Sequence, residues 1–121
     1  MSTYASVRGW IECDPDRLGE IKEVISSKPH ELYSGGWGFP GRAFNWTSYV
    51  FYGGDLQIQD LSWLREVIEE IAAIPPGDEM DVRVQGFFLV TRETEGITEW
   101  QIRDGGLYEE QDGCGLAYLG P

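Results

Sequence analysis

Residues 37–54 read Trp37-Gly-Phe-Pro-Gly-Arg-Ala-Phe-Asn-Trp-Thr-Ser-Tyr-Val-Phe-Tyr-Gly-Gly54 and join a glycine-rich loop to the most strand-like run in the first half of the chain. Seven of the sixteen aromatic residues lie in this stretch. Aromatic and β-branched residues are favoured in strands, so the run from Phe44 to Tyr52 predicts a strand. The following Gly53-Gly54-Asp55 predicts its end. The stretch contains no catalytic signature.

The segment before this stretch predicts a strand and a helix. Residues 4–13 alternate between small apolar and larger side chains with the period of a strand. Asp14-Pro15 is a helix-start signal, because the carboxylate can accept from free backbone amides and proline suits the first helical position. The helix should end near Ser27, since Pro29 disfavours helical geometry in the residue before it. Residues 30–33 are candidates for a short additional strand.

The segment after this stretch predicts a second helix and two or three strands. The helix follows Asp60, carries an apolar stripe at helical spacing and is stopped by Pro75-Pro76-Gly77. Residues 82–91 become apolar on both faces, which indicates a central strand covered on each side. Asp104-Gly105 is a strong hairpin signal, so it should join a strand over residues 98–102 to a last edge strand.

This order of elements predicts an α+β fold: a single, mainly antiparallel sheet with two helices packed on one face, ferredoxin-like or a related α/β sandwich. We expect one domain over residues 1–121, with residues 111–121 as a glycine-rich C-terminal tail. The other face of the sheet must be covered or used. Tyr4, Trp10 and part of 44–52 are candidates to lie there, where large aromatic side chains suit an interface or a ligand platform.

The charge is strongly acidic and unevenly placed. The net charge is −12, and residues 54–121 hold fifteen acidic side chains against four arginines. Such a chain repels nucleic acids and anionic membranes, so we expect neither as a partner. Cys13 and Cys114 are too far apart for a C-x-x-C site, which favours reduced thiols. No secretion signal or span-length apolar run is present, and we therefore expect a cytoplasmic protein.

Candidate catalytic and metal-binding groups are sparse. No local signature surrounds Cys13 or His30, so we expect no catalytic residue. The carboxylates of 14–16 and 66–70 lack further ligands at a suitable spacing, so we expect no metal and no cofactor. The glycines of 35–38 precede a proline and a strand rather than a helix, unlike a phosphate-binding loop. This loop could still grip a flat ligand by aromatic stacking.

The acidic second half leaves two interpretations open. One is solubility alone. The other is an electrostatic field that steers a basic protein partner, with aromatic side chains as anchors. On the second interpretation the predicted partner-binding residues are Trp37, Trp46, Tyr52, Glu66, Glu69, Glu70, Glu95 and Glu99.

In size, charge and surface aromatics such as Trp37 and Trp46, the chain resembles the small acidic immunity proteins that bacteria make to neutralise their own toxins. The resemblance rests on general character and not on a motif, so it assigns no role to any residue. It implies tight one-to-one binding that occludes the active site of a toxin.

Three functions therefore remain open. The first is a non-enzymatic protein-binding module, an immunity-type inhibitor of a basic effector or toxin. The second is a small-molecule-binding or catalytic α+β domain with a pocket formed by residues 37–52. The third is a self-associating structural protein whose open sheet face pairs with a second copy, so both a monomer and a homodimer are compatible with the sequence.

Overall fold

The computed structural model describes residues 3–41, 46–77, 83–93 and 96–111. These residues form one six-stranded antiparallel sheet and two α-helices, which confirms the predicted α+β class. The strands are β1 (Tyr4–Cys13), β2 (Trp37–Gly38), β3 (Ser48–Gln57), β4 (Gln85–Arg92), β5 (Gly96–Arg103) and β6 (Gly106–Gln111), and the helices are α1 (Leu18–Ser27) and α2 (Leu61–Ala72).

The sheet has the strand order β2-β3-β1-β4-β5-β6, and every neighbouring pair is antiparallel. It follows that β1 and β2 run parallel on either side of β3, and that β3 and β4 run parallel on either side of β1. This interleaving of two βαβ units is the ferredoxin-like arrangement. The β5–β6 hairpin extends the sheet beyond β4.

The hydrophobic core lies between the sheet and the two helices. One face of β1 and the apolar stripe of α2 supply much of it, because side chains alternate between faces along a strand and recur every three or four residues on a helix. Burying each aliphatic or aromatic side chain contributes about 1.5–3 kcal/mol. Fully buried members include Val7, Ile11, Ile21, Val50, Leu56, Leu64, Val67, Ile68, Ile71, Phe88, Val90, Trp100 and Ile102.

Strand β3 departs from the sequence expectation. Gly53 and Gly54 were expected to end it, yet the strand continues to Gln57. The reason is pairing: β1 runs antiparallel to β3 over ten residue pairs, from Tyr4 with Gln57 to Cys13 with Ser48. The predicted start of this strand, Phe44, lies outside the described residues.

The segment between α1 and β3 also differs from the sequence prediction. Residues 30–33 form a turn rather than a strand, and the short strand β2 begins only at Trp37. Of the two predicted helix caps, Asp60 is the N-cap of α2, whereas Asp14 caps the 3-10 turn Pro15–Arg17 and Arg17 is the N-cap of α1; neither aspartate side chain makes a capping hydrogen bond. Short 3-10 turns precede both helices instead.

Candidate functional site

The face of the sheet turned away from α1 and α2, here called the open face, has no other described element packed on it. Strand register places Trp10 of β1 directly between Phe51 of β3 and Phe87 of β4. These three side chains are called the aromatic row. The Trp10 and Phe87 rings lie 5.8 Å apart, and Tyr49 stacks on Phe51 at 6.2 Å. Because directly paired residues share a face, the register alone brings these rings together.

The indole of Trp10 is held in place along its own strand. Its Nε1–H donates to a carboxylate oxygen of Glu12 at 2.8 Å. The ring is still 37% exposed, and Phe51 is 46% exposed. Large aromatic side chains that are exposed, yet fixed by neighbours, lose little conformational entropy when a partner covers them.

Among the described residues, Arg8 is the cationic side chain that lines the groove beside the aromatic row. Arg8 pairs with Leu89 of β4, so both lie on the open face. The Arg8 Nη2 donates to the Thr91 hydroxyl at 3.2 Å, and that hydroxyl donates to the Ser6 carbonyl at 3.3 Å. Leu89 is only 2% exposed. The guanidinium therefore lies along the sheet rather than standing free in solvent.

Two grooves flank the shared side chain of Phe51. One has a volume of about 560 Å³ and is lined by the aromatic row together with Arg8, Gly53 and Leu89. The other, of about 580 Å³, lies between α1 and the edge of the sheet and is lined by Phe39 and Tyr49 among others. The apolar surface of the open face thus continues around the β3 side of the sheet.

Acidic side chains surround the aromatic row. Register and alternation place four of them on the open face, namely Glu12, Asp55, Glu99 and Glu110, which are called the acidic rim. Besides Glu12, which accepts from the Trp10 indole, two of them accept hydrogen bonds within the sheet. The Ser6 hydroxyl donates to Asp55 at 2.6 Å, and the Gln101 amide donates to Glu99 at 3.1 Å.

The acidic residues predicted on α2 lie elsewhere. Glu66, Glu69 and Glu70 are exposed on the helix, which packs on the opposite side of the sheet from the aromatic row. Glu69 lies 3.6 Å from Arg65, and Glu70 lies 3.5 Å from Lys28. The structure therefore does not bring these helix carboxylates and the aromatic row into one patch.

Two predicted partner-binding aromatics are part of the core. Trp37 is 9% and Tyr52 is 3% exposed, and their rings meet edge to face at 4.8 Å. The Tyr52 hydroxyl donates to the Tyr33 carbonyl at 2.8 Å. Burial, with a smaller effect of Tyr33, raises the pKa of Tyr52 to about 12. Both rings face the helices and not the open face, so neither belongs to the aromatic row, and their assignment to an interface stays a prediction.

The remaining predicted partner-binding residues are Trp46, Glu95 and Glu99. Trp46 is the most exposed aromatic among the described residues, at 77%. Glu99 lies on the open face, whereas Glu95 lies outside the described residues. Phe51 and Phe87 were not singled out in the sequence. The alternation of each strand could have indicated their face, but their meeting with Trp10 depends on the register of three strands.

The candidate nucleophile, Cys13, is a buried residue of the core. Cys13 is buried at the end of β1, and this burial, followed by the charge of Asp14, raises the pKa of its thiol to about 11. A thiol with so high a pKa stays protonated near neutral pH and is a poor nucleophile.

The candidate base, His30, is also tied into the fold. Its ring packs between Tyr33 at 4.7 Å and Trp63 at 4.9 Å. Its Nδ1 accepts the Leu32 backbone N–H at 3.1 Å, and its Nε2 lies 3.5 Å from an Asp60 carboxylate oxygen. Both nitrogens therefore face groups that fix the loop before β2 against the start of α2.

Within the described ranges, His, Cys, Asp and Glu side chains form no group of three or more that could hold a metal ion. None of the helices among those residues combines the length and apolar character needed to cross a membrane. Comparison of the chain with protein-family models, curated proteins and solved structures found no match.

Proposed function

We propose that this chain is a non-enzymatic protein-binding module, an immunity-type inhibitor that occludes a basic effector through the open face of its sheet. The observation that carries the proposal is the aromatic row. Phe51, Trp10 and Phe87 lie side by side on three adjacent strands, on the face that the two helices leave uncovered. A contiguous apolar patch with a polar surround is typical of a protein interaction site.

The arrangement suits a tight interface in two respects. Tryptophan and tyrosine dominate the binding energy of protein interfaces when they lie near the centre and are sealed from water by surrounding contacts. Here Trp10 lies on the central strand β1, and the acidic rim lies around it. Acidic side chains at the margin would accelerate and orient the encounter with a basic surface.

The charge of the chain favours a basic partner over a second copy. Each copy carries a net charge of −12, so two open faces brought together would place two acidic rims in contact. Like charges across an interface are unfavourable, whereas a basic surface gains from the same field. A homodimer through the open face is therefore disfavoured relative to a complex with a cationic protein.

The test uses the basic protein encoded by the gene beside that of this chain, because an immunity gene adjoins the gene of its toxin. Isothermal titration calorimetry should give one-to-one binding, and the neighbour's activity should be lost in the complex. Trp10→Ala and Phe51→Ala should each weaken binding by about thirtyfold, which corresponds to about 2 kcal/mol.

Leu32→Ala is the matched control, because Leu32 is an exposed large apolar residue in the turn after α1 and not on the sheet. It should bind as the native chain does. Circular dichroism must show that all variants fold. Binding that is equally tight in the Trp10 and Phe51 variants would exclude the open face as the interface, and a neighbouring protein that neither binds nor is inhibited would overturn the immunity function.

One observation favours small-molecule binding as a second candidate. The groove beside the aromatic row, at about 560 Å³, lies within the range of about 300–1,000 Å³ found for ligand sites. The same calorimetry separates the two functions. Saturable binding of a small ligand, lost in Trp10→Ala, without any effect of that substitution on a protein partner, would favour the second candidate.

A further inference from the structure

Gly53 leaves a gap in the side-chain layer of the open face. It lies on β3 opposite Arg8, and Phe51 precedes it on the same face of the strand. A Cβ atom built at Gly53 would meet no heavy atom within 4 Å. The neighbouring positions of this face on β3 and β1, Phe51, Asp55 and Arg8, carry side chains, so the missing one at Gly53 helps to open the groove of about 560 Å³.

The walls of this groove, here called the Gly53 pocket, are almost entirely apolar. Phe51, Trp10 and Phe87 form one side, and Leu89 lies beyond them. Of the described residues that line it, Arg8 alone is charged. Mostly apolar walls with a few precisely placed polar groups are typical of concave binding sites.

We propose that the Gly53 pocket receives one aromatic side chain of the basic partner. The proposal rests on the function proposed above and adds the identity of the anchoring residue. Aromatic rings interact favourably edge to face or offset-stacked with other rings, and Trp10, Phe51 and Phe87 offer such surfaces. Hot-spot residues also tend to meet hot-spot residues of the partner.

The charges around the pocket select against a lysine or arginine tip inside it. The Arg8 guanidinium would repel a second cation at close range, but it can lie against a ring face or donate to a phenol oxygen. The cations of the partner have their own place, because the acidic rim carries Glu12 and Asp55 on the flanks of the same surface. The Gly53 pocket thus recognises the aromatic side chain of the partner, and the acidic rim recognises the basic residues around that side chain.

The pocket is tested first without any partner, using N-acetyl-tyrosinamide as the probe. The ¹⁵N-labelled full-length chain should show saturable chemical-shift changes at the Gly53 amide and the Trp10 indole N–H. A dissociation constant on the order of 1 mM is reasonable for a ligand of this size. N-acetyl-lysinamide should cause no such change, and equal binding of both probes would overturn the choice of an aromatic side chain.

Gly53→Val is the decisive substitution. A Cβ at this position meets no heavy atom within 4 Å, and β-branched residues suit strands, so we expect the variant to fold. It should fill the pocket and weaken binding of the probe, and of the basic partner, by tenfold or more. Gly19→Val on α1 is the matched control, since a Cβ there also meets nothing within 4 Å; it should leave both affinities unchanged.

The results distinguish this proposal from the one on which it rests. If Trp10→Ala weakens the partner and Gly53→Val does not, the open face is the interface but the pocket receives no anchor. If neither variant weakens the partner, both proposals are wrong.

Two other occupants would also overturn the inference. Nuclear Overhauser contacts from Gly53 to Leu116, Tyr118 or Leu119, which lie outside the described residues, would show that the chain fills its own pocket. A dimer in sedimentation velocity that Gly53→Val dissociates would show that a second copy fills it.

Discussion

Hydrogen bonds satisfy the polar atoms of several large aromatic side chains in the core, although the buried indole N–H of Trp37 has no hydrogen-bond partner among the described residues. The buried indole of Trp100 donates to Glu109 at 3.0 Å, and half-buried Trp63 donates to the Lys28 carbonyl at 2.7 Å. Buried Tyr52 donates to a backbone carbonyl in the same way. A buried N–H or O–H without a partner costs about 1–3 kcal/mol. These hydrogen bonds avoid that cost, so rings that carry a polar atom can be buried in the core. Trp10, whose partner Glu12 is on the open face, remains at the surface.

Two buried groups with raised pKa values predict alkaline destabilisation. Cys13 is shifted from 9.0 to about 11 and Tyr52 from 10.0 to about 12, chiefly by burial. A raised folded-state pKa adds stability that is complete below the unfolded value and is lost as the pH rises through the folded value. The free energy of unfolding should therefore fall between about pH 9 and 12.

Urea denaturation at stepped pH checks this loss. Tyr52→Phe removes one titrating group, so the decline between about pH 10 and 12 should be shallower, although the lost hydrogen bond costs about 1 kcal/mol at neutral pH. Tyr108→Phe, at an exposed tyrosine on β6, is the control and should retain the native slope. An unchanged slope in Tyr52→Phe would show that its hydroxyl is not protected by burial.

The periodicity of apolar residues predicted a strand or helix well where one of its faces is buried. It predicted less well where pairing with a distant strand sets the bounds of the element. The alternation over residues 4–13 predicted β1 with its observed bounds, and the helical stripe predicted α2. The continuation of β3 through Gly53 and Gly54 was not predictable, because it depends on pairing with β1, a strand that lies far away in the sequence. For the same reason local alternation could place Trp10 on the open face but not identify Phe51 and Phe87 as its neighbours.

Two glycines, one in the β5–β6 turn and one on α1, allow a comparison of the same substitution in two backbone conformations. Asp104 and Gly105 have φ values of 50° and 80°, as a type I′ turn requires. Gly105→Ala should destabilise the chain by about 1–2 kcal/mol, because L-residues are strained there and the Cβ would lie 2.8 Å from Arg83 Nη1. Gly19→Ala on exposed helix α1 should instead stabilise by about 0.5–1 kcal/mol.

Thermal and urea denaturation of the two variants measure this contrast. Both substitutions add one methyl group, so a difference in sign reflects the positive φ of Gly105 together with its contact with Arg83, and not the size of the added side chain. Equal effects in the two variants would mean that the turn does not require a positive φ at Gly105.

Across the molecule, negative charge lies on both sides of the sheet: the acidic rim borders the aromatic row on the open face, and the α2 carboxylates lie on the helix side. The aromatic row is on the open face, while the α2 carboxylates face solvent beyond the helix layer. An electrostatic field acts over roughly 8–10 Å at physiological salt, whereas apolar contacts act only when surfaces touch. The α2 carboxylates should therefore affect how fast a basic partner arrives, and the aromatic row how long it stays.

Binding kinetics at several salt concentrations separate these contributions. Changing Glu66, Glu69 and Glu70 together to lysine shifts the net charge from −12 to −6. Exposed ion pairs contribute at most about 1 kcal/mol each, so the variant should fold. Its association rate constant should fall and depend less on salt, while its dissociation rate constant stays native, because α2 is away from the open face.

Trp10→Ala should show the opposite pattern, since most effects of interface substitutions appear in dissociation. Its dissociation rate constant should rise by about thirtyfold, with little change in association or in salt dependence. Aspartate at the same three α2 positions preserves the charge and is the control for the lysine variant. A lysine variant that dissociates as fast as Trp10→Ala would place α2 inside the interface, and the partner would then have to contact both sides of the sheet.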